Sequence, residues 1–224
     1  MTSYVIAPPA ETVLPVEGGG QYPVRRVYCV GRNYADHARE MGSDPDREPP
    51  FFFSKPRDAV TSGETVPYPP ATKDLHYEAE LVIALGGGGS DLSPEQAGKL
   101  IYACAVGVDL TRRDLQNQAK KAGKPWDMAK GFDGSAPVGA LKPCRALDEG
   151  AISLSVNGVA RQSADLSHMI WSSAEIVSHL SKLVRLEAGD LIFTGTPAGV
   201  GPVERGDWIE ARIDGLMPLS FTLV

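Results

Sequence analysis

Turns set the first limit on what this chain can fold into. Glycine and proline contribute 24 and 18 of its 224 residues, and they fall between short apolar runs rather than in one tract. Helix interiors tolerate neither residue well, so this distribution predicts many short strands and excludes a helix bundle. Hydrophobic residues at 42% and charged residues at 22% are ordinary for a globular chain, which sets aside disorder and coiled coil. Residues 1–20, broken by Pro8, Pro9, Pro15 and Gly18–Gly20, read as an N-terminal extension, and residues 21–224 as a single domain.

The net charge of −6 and pI near 5.3 argue against a grip on nucleic acid or anionic membrane. They leave small anionic ligands open, because a few local cations can invert the sign of one cleft. No apolar run approaches the roughly 18 residues of a membrane span. The N-terminus lacks the basic and apolar regions of a secretory leader, so a cytoplasmic location is expected. Cys29, Cys104 and Cys144 sit among apolar neighbours and read as three free buried thiols.

Strands are predicted from Arg25 to Val30, His76 to Leu85 and Ala103 to Val108. Further strands are expected over 152–156, 191–193, 208–213 and 219–223, with Asn157-Gly158 as a two-residue hairpin turn. Capping boxes at Ser93 and Ser172 open helices, the first running to Tyr102, and helical propensity spans 33–41. The stretch 42–74 reads as loop with short extended pieces. The fold class is mixed but β-rich α+β, a roll or sandwich with a few peripheral helices.

Glu78 and Glu80 are two apart in a strand and so share a face. Like charges that close need water or a cation, and oxygen-only ligation favours Mg²⁺ or Mn²⁺ over Zn²⁺. The plain alternative is a solvated strand face. Asp109 ends an apolar run, either as a site carboxylate or as a strand terminator and helix cap. His37 and Glu40 stand at i and i+3, a spacing at which a carboxylate can orient an imidazole. Lys130 follows Pro125-Trp126 and, if buried, needs an anion. Gly86–Gly89 and Gly195–Gly201 fail as nucleotide loops, lacking the third glycine of one motif and the Lys-Ser/Thr of the other.

Taken together, VYCVGRNYADHAREMG, FFFSKP, HYEAELVIALG, GVDLTRRDLQ, GKPWDMAKGFDGSAPVG, VNGVARQ and GDLIFTGTPAGVGPV resemble, in order, the fumarylacetoacetate hydrolase family. The likeness spans about residues 22–224 and points to the short acylpyruvate-hydrolase branch and its β-roll catalytic domain. It implies metal ligation by Glu78, Glu80 and Asp109, with one Mg²⁺ or Mn²⁺ per chain, and water activation by His37 and Glu40 in a lid. It further implies substrate contacts from Arg113, Gln116, Lys130 and Thr196. Larger members add an acidic ligand from a separate N-terminal domain, so waters are expected to complete the shell here.

The implied reaction is hydrolysis of a C–C bond in a 2,4-dioxo acid, with fumarylpyruvate, a step of aromatic-compound breakdown, as the leading candidate. Lys130 would then stabilise the pyruvate enolate. Arg32 and Arg57 are the candidates for a remote substrate carboxylate. A general acylpyruvase, an oxaloacetate decarboxylase and a catalytically silent binding or scaffolding protein are the alternatives. A homodimer is expected, with no nucleic-acid or membrane partner.

Overall fold

The computed structural model describes residues 3–35 and 49–224. Two β-sheets dominate. The larger orders its strands as Lys142–Pro143, Ile101–Val108, Ala79–Leu85, Asp190–Phe193, Arg26–Gly31 and Phe51–Lys55. All its pairings are antiparallel except Asp190–Phe193 with Arg26–Gly31. The smaller runs Val159–Asp165, Ala151–Val156, Trp208–Ile213, Leu219–Leu223, Thr65–Val66, parallel only in its last pair.

The sequence of Ala79–Leu85 explains its central place. All seven residues are apolar except Glu80, and all are buried. Leu81, Ile83 and Leu85 join Val106, Ile152, Leu154, Ile209 and Phe221 in the core between the sheets. Val82 and Ala84 face the other way, into a second core with Leu14, Val138, Leu141 and Phe193. A strand buried on both faces reads as an apolar run rather than an alternation. In the smaller sheet, Ala151–Val156 alternates buried and less buried residues, as expected of one wet face. Asn157 and Gly158, both at positive φ (51° and 77°), make its hairpin turn.

Several sequence-based boundaries shift. The helix capped by Ser93 ends at Gly98, and Ile101 and Tyr102 already belong to the next strand, because pairing with Leu85 captures them. Helix Arg113–Ala122 has no counterpart in the expectations; its sequence is polar, with only Leu115, Ala119 and Ala122 apolar, though these fall at helical spacing. The other capped helix is Ser173–Ser181. The expected extension is too long: Val13–Pro15 pairs with Gln21–Pro23, and Leu14 is fully buried. Cys104 and Cys144 are paired as a disulfide rather than free, because antiparallel pairing of Lys142 with Cys104 draws the chain back along its neighbour. Cys29 is free and buried. No helix among the described residues is long and apolar enough to cross a membrane.

Candidate metal centre

Register brings several chain ends to one edge of the large sheet. Ala79 starts its strand opposite Val108, which ends its own, and Phe193 ends beside Val82 and Cys29. Residues just beyond those ends therefore meet: Glu78, Asp109, Arg32 and the Thr194–Thr196 turn. The expected continuous strand from His76 is interrupted at Glu78. Leu75–Tyr77 pairs instead with Thr111–Arg112 and Gly201–Val203, while Asp109 N donates to Glu78 O at 2.8 Å across the break. Asp109 caps no helix; the next one begins at Arg113.

Glu78, Glu80 and Asp109 are 5%, 2% and 0% exposed, and one carboxylate oxygen from each lies within 4.8 Å of the others. The solvated strand face is thereby excluded. Lys130 Nζ donates to Glu78 Oε2 (2.8 Å), Asp109 Oδ2 (2.7 Å) and Thr111 Oγ1 (2.6 Å). Arg113 Nη2 donates to Glu78 Oε1 at 2.5 Å and Nη1 to Gln116 Oε1 at 2.6 Å. Glu80 Oε2 accepts from Gly195 N at 2.7 Å. Gly195 has φ +97° and a Cβ there would lie 2.7 Å from Asn33 Cβ, so the turn requires glycine.

Burial, then the Asp109 and Glu78 charges, push the Glu80 carboxyl well above its ordinary value. Burial alone would lower Lys130, but Asp109 and Glu78 outweigh it and hold its ammonium above the usual range. Asp109 Oδ1 is buried without a hydrogen bond and forms an ion pair with Lys55 Nζ at 2.8 Å. Three converging carboxylates with such a spare oxygen suit a hard divalent cation.

A cleft opens onto this cluster, lined also by Arg32, Phe51, Phe53, Gln116, Lys120, Trp126 and Thr196. Gly31 lets Phe51 close over it, since a Cβ there would fall 1.9 Å from that ring. Arg32 adopts φ 60°, unusual for a side chain of its size, and the backbone beyond is pinned by Asn33 Nδ2 donating to Thr194 O (2.8 Å) and Trp171 O (3.0 Å). Thr196 Oγ1 accepts from Gln162 Nε2 at 2.8 Å.

The structure thus brings together Glu78, Glu80, Asp109, Lys130, Arg113, Gln116, Thr196 and Arg32. Arg57 is not among them: it stands exposed on the turn Arg57–Ala59, outside the cleft lining. His37 and Glu40 lie outside the described residues. Two cations escaped the sequence reading. Lys55 is 3% exposed, donates to Lys130 O and Leu110 O, and pairs with Asp109. Lys120 lines the cleft and shares a helix face with Arg113 and Gln116 at i, i+3 and i+7, a spacing visible in the sequence.

Comparison with known proteins agrees with this architecture. The fumarylacetoacetate (FAA) hydrolase C-terminal profile matches residues 26–224. The chain belongs to the fumarylacetoacetate hydrolase family. A fumarylpyruvate hydrolase from Ralstonia sp is 44% identical over 188 residues, covering 82% of this chain and 98% of that relative. The human mitochondrial oxaloacetate tautomerase FAHD1 is 40% identical over 200 residues, 88% of this chain and 90% of that one. The crystal structure of fumarylpyruvate hydrolase from Pseudomonas aeruginosa in complex with Mn²⁺ and pyruvate superposes with a TM-score of 0.96 at 52% identity. It covers 99% of both chains.

Proposed function

We propose that this member of the family is a divalent-metal-dependent hydrolase of acylpyruvates, converting fumarylpyruvate to fumarate and pyruvate. The observation that carries the reading is the buried triad of Glu78, Glu80 and Asp109 at the floor of a cleft that also presents Lys130, Arg113 and Gln116. The 52% identical crystal structure of a fumarylpyruvate hydrolase in complex with Mn²⁺ and pyruvate supports it.

The three carboxylates would hold Mg²⁺ or Mn²⁺, which when bound supplies Lewis acidity toward the substrate's oxygens. Arg113 and Gln116 bind and orient the pyruvyl carboxylate. His37, oriented by Glu40, takes a proton from water, and the hydroxyl adds to C4. The C3–C4 bond then breaks, its electron pair passing to C3 as pyruvate enolate, while C4 leaves as the new carboxylate of fumarate. Lys130 stabilises that enolate charge through an ammonium already oriented by Asp109 and Thr111. Protonation at C3 completes the balance. Thr196, held by Gln162, offers its hydroxyl to the acyl oxygen.

The test is a panel of fumarylpyruvate, acetylpyruvate and oxaloacetate assayed with Mg²⁺, with Mn²⁺ and in excess chelator. Cleavage of the dioxo acids that disappears on chelation is the expected result. Oxaloacetate turnover with no dioxo-acid cleavage would replace the hydrolase by enol chemistry of the kind the tautomerase relative's name describes.

A further inference from the structure

Helix Arg113–Ala122 turns Arg113, Gln116 and Lys120 toward the cleft, but only the first two are engaged. Lys120 has no hydrogen bond or ion pair among the described residues. Its ammonium stands 5.2 Å over the Trp126 ring. Trp126 meets Phe51 edge-on at 5.5 Å and Phe53 at 6.0 Å, making one aromatic wall. Lys130 Nζ lies 5.0 Å over Phe53 at the carboxylate end, while Arg32 lies 5.6 Å over Phe51. The wall therefore runs from the metal ligands to a second, separate pair of cations. Burial, Arg113 and Arg32 push the Lys120 ammonium down to about 8, with Glu78 opposing and Lys130 adding to the shift. A half-buried cation crowded by its own sign gains most from an incoming anion.

We propose that Lys120 is a specificity-determining residue that receives the remote carboxylate of a dicarboxylic acylpyruvate whose planar, unsaturated acyl chain lies along Phe51, Phe53 and Trp126. This rests on the hydrolase reading and adds to it the residue that selects the acyl group. A neutral acyl chain would fill the same slot but leave Lys120 and Arg32 repelling one another across it. The single point charge of a lysine on a flexible stem reaches one carboxylate oxygen, and Arg32 from the opposite rim can take the other.

The test uses the full chain loaded with Mn²⁺, as wild type, Lys120→Met and Lys120→Arg. On fumarylpyruvate, Lys120→Met should lose about tenfold or more in kcat/KM, chiefly through KM, while acetylpyruvate turnover stays within about twofold. Lys120→Arg should recover most of the loss. Calorimetric titration with fumarate and crotonate asks the same question without turnover: wild type should favour the dianion, and Lys120→Met should erase that preference. Equal loss on both dioxo acids, an unchanged ratio between them, or wild-type indifference between fumarate and crotonate overturns the proposal. A wild type that prefers fumarate but cleaves neither dioxo acid refutes the hydrolase reading and leaves Lys120 as the carboxylate's partner.

Discussion

Glu80→Gln removes a charge while keeping the shape of the triad. The amide oxygen of the replacement can accept from Gly195 N as Glu80 Oε2 does at 2.7 Å. At the 4.8 Å limit between ligand oxygens, two full charges at an effective dielectric of about 20 repel by roughly 3.5 kcal/mol. Glu80 feels two such repulsions, from Asp109 and Glu78, against one attraction from Lys130. The net relief is therefore at most about one pair. Wild-type protein without metal escapes part of it by protonating Glu80, so about 1–3 kcal/mol is the expected gain at neutral pH. For a chain of this size that corresponds to roughly 2–12 °C in Tm.

The sign with pH follows from linkage. A carboxyl whose folded value is raised binds its proton more tightly when folded, so metal-free wild type loses stability as pH climbs above the ordinary carboxylate range. The Gln variant lacks that loss, and its advantage should widen with pH. Thermal unfolding in chelator should show the variant melting higher; adding Mn²⁺ should stabilise wild type strongly and the variant weakly, and turnover should vanish. A variant that melts lower in chelator at every pH, or keeps both its Mn²⁺ shift and its activity, refutes the reasoning.

Lys130→Met strands Glu78 and Asp109 without their shared ammonium and should cost about 3–5 kcal/mol in chelator, with Mn²⁺ restoring much of the melting temperature but not activity. Differential scanning calorimetry with and without Mn²⁺ measures it. His37→Ala should lower kcat by roughly 10²–10⁴-fold and leave the Mn²⁺-induced shift in Tm intact. With Lys120 titrating near 8 among Arg113, Arg32, Lys130 and Glu78, KM for fumarylpyruvate should rise as pH passes above that value, while KM for acetylpyruvate stays level. Steady-state profiles from pH 6.5 to about 9.5 decide it.

Local rules carried the sequence reading far at some positions and not at others. Glu78 and Glu80 do converge as their spacing suggested, although the strand breaks at Glu78 and the continuous alternation assumed for it does not hold; an apolar run ending in Asp109 was enough to mark it as a strand-end carboxylate. Asn157-Gly158 and the Ser93 and Ser172 capping boxes are short-range signals and appear where the residues place them. The Cys104–Cys144 pair depends on a long-range strand pairing that no spacing reveals. Lys55 is legible only once Phe51–Lys55 is known to be an edge strand whose last residue is buried. Arg57 misled because it follows the Phe-rich strand closely; the 3₁₀ turn after Pro56 leaves it exposed.

Ion pairing at the cluster has a consequence for the order in which the complex assembles. Lys55, Lys130 and Arg113 pair with Glu78 and Asp109, so with Glu80 also ionised three positive charges would stand against three carboxylates and the buried centre would be neutral before any ligand arrives. A neutral floor offers a dianion little inducement to leave water. A divalent cation there would bring its net charge to about +2, facing the Arg32 and Lys120 that line the same cleft. On the proposed hydrolase reading, substrate entry would follow metal capture as a kinetic sequence, and apparent affinity for a dioxo acid would be a readout of metal occupancy.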